Sequence, residues 1–150
     1  VNYRRGGHNR ALGLEFTHVS AVAVEARLPV GELHKQAYGV VHGGVYASIA
    51  ESICSVGAGV NVIPLGRAVV GLDNHTSFLR AVREGTLHAR AVPVHRGSRS
   101  QVWSAEMWDD AGRVVARSRV TLMVLEPGAN LAGAKVAMRT PIKDEAAPWE

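Results

Sequence analysis

Residues 36–55, QAYGVVHGGVYASIAESICS, join a loop, a pair of glycines and the first turns of an amphipathic helix. His42, Gly43 and Gly44 stand at the junction, so the first N–H groups of the helix lack intrahelical partners and face outward. Such a helix start favours negative charge. The glycines let a carbonyl oxygen come close to the backbone, and the helix dipole favours an oxyanion developing there. Glu51 follows two turns later. On a helical wheel Val45, Ile49, Ile53, Val56 and Val60 form one apolar stripe, about 120 to 180° from Glu51. Ser48 and Ser55 lie close to Glu51, and Ala47, Cys54 and Ala58 supply a small-residue flank suited to another helix.

Gly43 and Glu51 are separated by about 12 Å along the helix axis. A reacting group must lie within about 3 to 3.5 Å of both its oxyanion donor and its attacking group, so one helix cannot serve both ends of one small group. Two copies related by a twofold axis can, with Gly43 of one chain facing Glu51 of the other.

Outside this segment the pattern is that of strands. Val22, Val24, Ala26 and Leu28 alternate with Ala23, Glu25 and Arg27, and further strands are expected at about 68–79, 85–96, 100–109 and 113–125. Arg-Glu-Gly (83–85), Arg-Gly-Ser (96–98) and Asp-Asp-Ala-Gly (109–112) mark the turns. One long helix followed by a meander predicts an α+β domain over 1–125 and a C-terminal extension over 126–150 that opens on Pro-Gly and has no clear period. Trp103, Met107 and Trp108 read as packing residues.

The chain has 150 residues, 47% of them hydrophobic and 20% charged, which suits one domain with a true core and excludes disorder throughout. No unbroken apolar run reaches spanning length and VNYRRGGHNR has no apolar signal core, so no membrane association and a cytoplasmic location are expected. A single cysteine, Cys54, suits a reducing compartment; mid-helix and without an activating histidine, it reads as a packing residue. The seven histidines contain no metal-ligand spacing, so no metal and no cofactor are expected. The net charge of +4 raises the question of nucleic acid, but Arg80, Arg83, Arg90, Arg96 and Arg99, expected around one region of the meander, lack the interleaved aromatics that stack bases, so none is expected.

The segments GVVHGGVYASIAESICSV (39–56), VVGLD (69–73), LRAVREG (79–85) and HRGSRSQVWSAEMWDDAGRV (95–114) resemble, in the same order, the acyl-CoA thioesterases of the phenylacetate type. The likeness runs from about Leu12 to Leu125 and is greatest to the 4-hydroxybenzoyl-CoA thioesterase group that carries an active-site glutamate. This resemblance implies the hotdog fold, a curved antiparallel sheet wrapped around a central helix. It also implies that Glu51 is nucleophile or general base, that the Gly43 amide polarises the thioester carbonyl, and that Gln36, His42 and Ser55 assist. Substrates of the group are aromatic acyl-CoA esters, with coenzyme A as part of the substrate. Glu and Gly come from different subunits of a homodimer, and two dimers commonly form a tetramer. Segments matching Gly71, Phe78, Arg80, His95, Gly97, Ser98, Arg99 and Ser100 contact the CoA moiety. Arg99, with the amides and hydroxyl of Gly97 and Ser98, suits its phosphates. One departure is that Ser77 and Phe78 stand where the group has Asn-His, which replaces a polar contact by an aromatic face. A non-catalytic acyl-CoA binder on the same fold would need no Glu51, and a hotdog hydratase would want an Asp and His pair.

Overall fold

The long helix begins at Gly43, and the sheet is built around it. In the computed structural model, which describes residues 7–137, the order is α1 (Gly7–Leu12), β1 (Glu15–Val19), β2 (Val24–Pro29), α2 (Gly43–Val62), β3 (Ala68–Phe78), β4 (Thr86–Arg96), β5 (Ser100–Trp108), β6 (Val114–Leu125) and a hairpin, β7 (Asn130–Leu131) with β8 (Ala134–Lys135). Six antiparallel strands form one sheet in the order β1-β2-β4-β5-β6-β3, and α2 packs on it. This is the α+β architecture that the resemblance implied.

The core explains why α2 forms here. Val45, Ile49, Ile53 and Val56 are buried as the wheel predicted, against Leu28, Leu87, Ala91, Trp103, Met107 and Leu122 of the sheet. Wrapping buries more of the helix than one stripe. Cys54 and Ala58 are fully buried in this chain's own core, so they are not free to receive another helix, whereas Val60 is only half-buried. The side left open runs through Gly44, Ala47, Ser48, Glu51 and Ser55. With its 3-10 continuation the helix spans Gly43–Leu65, long and apolar enough by length and composition to cross a membrane. The strands packed on it make it the core helix of this domain, and a left-handed Gly66 (φ 72°) ends it.

Gly57 lets the sheet close on the helix, since a Cβ there would sit 2.5 Å from the ring of the fully buried Trp103. Gly57→Ala should therefore lower unfolding stability by about 1 to 3 kcal/mol through overpacking, read as a fall in the urea midpoint. An unchanged midpoint would show that the indole relocates freely.

The four strands after the helix lie within a residue or two of expectation, but they are not the single meander expected: β4, β5 and β6 are consecutive neighbours, whereas β3 pairs with β6 and β4 inserts beside β2. Val22 does not belong to β2: Ser20 Oγ accepts from Val22 and Ala23 N–H groups, and this turn leaves Val22 exposed. Strand β1, helix α1 and the β7–β8 hairpin were not expected. Strand β1 is only five residues long and its apolar residues, Phe16 and Val19, do not alternate, and α1 is too short to show a period. The hairpin turns at Ala132 and Gly133, both at positive φ, where Ala is an unusual choice. Residues 138–150 of the C-terminal extension lie outside the described residues.

Candidate active site

Just before α2 the chain is fixed by polar contacts. The buried His34 accepts at Nδ1 from the Gly31 N–H and so donates from Nε2 to the Leu12 carbonyl, 2.8 Å in each case. Its own carbonyl accepts from the His42 N–H, and the Val82 carbonyl from the Val41 N–H, both at 2.8 Å. His42 is the N-cap, with extended backbone, and its Nδ1 accepts from the Gly44 N–H at 2.8 Å. That contact corrects the expectation of several free amides: Gly44 is satisfied by the cap. The Gly43 N–H has no partner among the described residues. His42 Nε2 has no hydrogen-bond partner among the described residues. Gln36 uses Oε1 to accept from the Tyr38 N–H, which leaves its amide hydrogens free to donate.

The ring of Phe78 lies across Gly43, 2.7 Å from where a Cβ would stand, so a larger residue there would push this exposed ring aside. Gln36, Val41, Gly43, Tyr46, Phe78 and Arg80 line a shallow cavity of about 350 Å³. Tyr46 is almost wholly buried beside Phe78, with ring centroids 6.0 Å apart, and burial pushes its phenol pKa up.

Glu51 lies about 12 Å further along α2, half-buried beside β3. Gly71 makes room for it: a Cβ there would meet Glu51 Oε1 at 2.3 Å. Glu51 Oε2 accepts from Asn74 Nδ2 at 3.0 Å, and the same amide nitrogen donates to the Ala47 carbonyl at 3.0 Å. Asn74 Oδ1 accepts from Thr76 Oγ1, which is 2.8 Å from Ser118 Oγ across the β3–β6 pair. None of Asn74, Thr76 and Ser118 was singled out in the sequence. The register shift between Gly71 and Asp73 explains this. Strict alternation from Gly71 would aim Asp73 and His75 at the helix; the bulge switches the parity and aims Asn74 and Thr76 instead.

One turn beyond Glu51, Ser55 lines a groove of about 410 Å³ with Val56, Gly59, Ile63, Val69 and Val136, walled on one side by the segment after β6. Cys54 is fully buried, and burial pushes its thiol pKa far up, so it stays a packing residue. Trp103 and Met107 are core residues as expected, while Trp108 stacks on His88 outside the core, with centroids 6.3 Å apart. Among the described residues no cluster suited to a metal occurs.

The arginines do not share one region. Arg83 donates to the Tyr38 carbonyl near the start of α2, Arg90 pairs with Glu25 and Arg96 donates to Asn61 near the end of α2. The β4–β5 turn, with His95, Gly97, Ser98, Arg99 and Ser100, is tied by Gly97 N–H to the Ser100 carbonyl, and Arg67 reaches the Ser98 carbonyl. One chain thus brings together Gln36, His42, Gly43, Phe78 and Arg80 at one end, and Glu51, Gly71 and Ser55 further along. The group from His95 to Ser100 lies towards the far end of α2.

Residues 38–116 match the model of the thioesterase superfamily. Rv1847 of Mycobacterium tuberculosis is 44% identical over 117 residues, covering 77% of this chain and 84% of the relative. Its solved structure superposes with a TM-score of 0.79 at 41% identity, over 81% of this chain and 98% of that one. The 1,4-dihydroxy-2-naphthoyl-CoA hydrolase of Escherichia coli is 40% identical over 114 residues, 76% of this chain and 83% of the relative. The structure of the thioesterase HI1161 of Haemophilus influenzae gives a TM-score of 0.74 at 36% identity, over 79% and 82% of the two chains. With this family match over more than half its length, and a sheet wrapped around one helix to agree with it, the chain belongs to the hotdog thioesterase superfamily and is an enzyme of that class.

Proposed function

We propose that the protein hydrolyses an aromatic acyl-CoA, of hydroxybenzoyl or hydroxynaphthoyl type, to the free acid and coenzyme A. The carrying observation is the hydrogen-bonded carboxylate of Glu51 on the open side of α2, on the same helix as the Gly43 N–H, which has no partner among the described residues, but about 12 Å away from it. The aromatic acyl group is supported by the E. coli relative's substrate name.

Each site takes Gln36, His42 and Gly43 from one chain and Glu51 and Ser55 from its neighbour. Strand β3 is one of the two edges of the sheet, β1 being the other, and its exposed run from Gly71 to His75 passes beside Glu51. A twofold axis near the middle of β3 would pair two such edges and bring opposite ends of the two helices together. In the reaction the Gly43 N–H holds the thioester oxygen. Either Glu51 takes a proton from a water that attacks the carbonyl carbon, or its carboxylate attacks and the resulting anhydride is hydrolysed. In the first route the adduct collapses with cleavage of the C–S bond, and the proton that Glu51 took from water passes to the leaving CoA thiolate. In the second the C–S bond breaks as the anhydride forms, the thiolate takes a proton from solvent, and water then releases the acid and restores the Glu51 carboxylate. Two dimers assembling into a tetramer is part of the proposal, and light scattering would measure it.

Coenzyme A phosphates are assigned to Arg99 with Ser98 and Gly97. Arg99→Ala should raise KM about tenfold with little change in kcat, because phosphate contacts are equal in ground and transition states. Short thioesters without the nucleotide should show no difference between mutant and wild type. If they do, Arg99 acts elsewhere. The overall reading is tested by following thiol release from a panel of aroyl- and alkanoyl-CoA esters; no turnover of any of them overturns it.

A further inference from the structure

We propose that Asn74 is the positioning residue of the Glu51 carboxylate, and that a one-directional chain of hydrogen bonds from Ser118 through Thr76 sets its orientation. This rests on the thioesterase reading above and adds to it a residue outside the expected set.

The donor directions follow from counting hydrogens. Asn74 Nδ2 donates to two oxygens, Glu51 Oε2 and the Ala47 carbonyl, both at 3.0 Å, which uses both amide hydrogens and fixes which way the amide faces. Its Oδ1 then accepts from Thr76 Oγ1 at 2.8 Å. Thr76 has a single hydroxyl hydrogen and spends it on Asn74. Ser118 must therefore be the donor in the 2.8 Å contact with Thr76. The order is Ser118 to Thr76 to Asn74 to Glu51.

Each link has a structural anchor. Ser118 is buried on β6, Thr76 sits opposite it on β3, and the Ala47 carbonyl lies one helical turn before Glu51. Glu51 is thereby tied to the sheet as well as to its own helix. Gly71 completes the arrangement, since a Cβ there would lie 2.3 Å from Glu51 Oε1 and would displace the carboxylate from this position. One carboxylate oxygen is held by Asn74, and the other faces the gap that Gly71 leaves.

Asn74→Ala should lower kcat about 10- to 100-fold with KM within about twofold, the size of loss expected when a reacting group is misplaced by about 1 Å. Thr76→Val keeps the shape and removes the link that orients the amide, so a smaller loss of about two- to tenfold is expected. A double-mutant cycle separates positioning from a structural or substrate-binding role. In a Glu51→Ala background, with residual turnover measured at high enzyme concentration, Asn74→Ala should cost nothing further. An equal loss in both backgrounds overturns the proposal. A second readout needs no activity: the side-chain amide protons of Asn74, assigned by their disappearance in Asn74→Ala, should shift in the nitrogen-correlated NMR spectrum when Glu51 is replaced by Ala. No shift overturns the contact. A shift in a protein that hydrolyses no thioester would instead sink the functional reading and leave the contact standing.

Discussion

Replacing Glu51 by Gln or Ala should lower thioester turnover about 10³- to 10⁴-fold while leaving the affinity for a CoA ester nearly unchanged. The asymmetry follows from where the carboxylate acts. Its proton transfer or attack belongs to the transition state, whereas the acyl and nucleotide contacts are made equally in the ground state. Folding should survive, because Glu51 is half-buried on the open side of α2 and its partner Asn74 is exposed on an edge strand. Single-turnover rates and calorimetric binding of the substrate to the mutant measure the two quantities separately. A mutant retaining most of its kcat would remove Glu51 from the chemistry.

The second large effect is recovery. Chains carrying Glu51→Ala, and chains carrying Gln36→Ala with His42→Ala, should each be nearly inactive alone. Mixed under conditions of subunit exchange, they should regain activity, because one of the two sites in each mixed dimer receives both intact halves. At equal mixing about half of the dimers are mixed and each has one good site, so about a quarter of the wild-type activity is expected if exchange is random. The argument is geometric: α2 runs without a break from Gly43 to Val62, and no rotamer closes about 12 Å along one helix. Absence of recovery in dimers shown to be mixed would mean that each chain catalyses alone.

How much of this was legible beforehand depended on range. The helix was legible because its signals are local: a His-Gly-Gly start, and apolar residues recurring on one face. The four strands after the helix were legible because Gly-containing turns separate them, but their order in the sheet was not: only β4, β5 and β6 form a meander, and β3 pairs with β6 instead of β4. Strand β1 was not, because Phe16 and Val19 stand three apart and a register shift between Phe16 and His18 breaks the alternation, so its pairing with β2 is visible only in the sheet. The family resemblance put Glu51, Gly43 and the β4–β5 turn in view, but only as a set of positions.

The sequence by itself determined the helix start at Gly43, the separation of Gly43 from Glu51 and the core face of α2, since helical rise and period follow from the backbone alone. Tertiary structure decided the rest. It buried Cys54 and Ala58 beneath this chain's own sheet, scattered the arginines, and used His42 to cap Gly44. Above all it placed Asn74 against Glu51. A strand's two faces differ by a single residue of register, and one bulge between Gly71 and Asp73 exchanges them. Strand β3 carries few apolar residues past the bulge to reveal that parity, so only its pairing with β6 and its packing on α2 show which side chains reach the carboxylate.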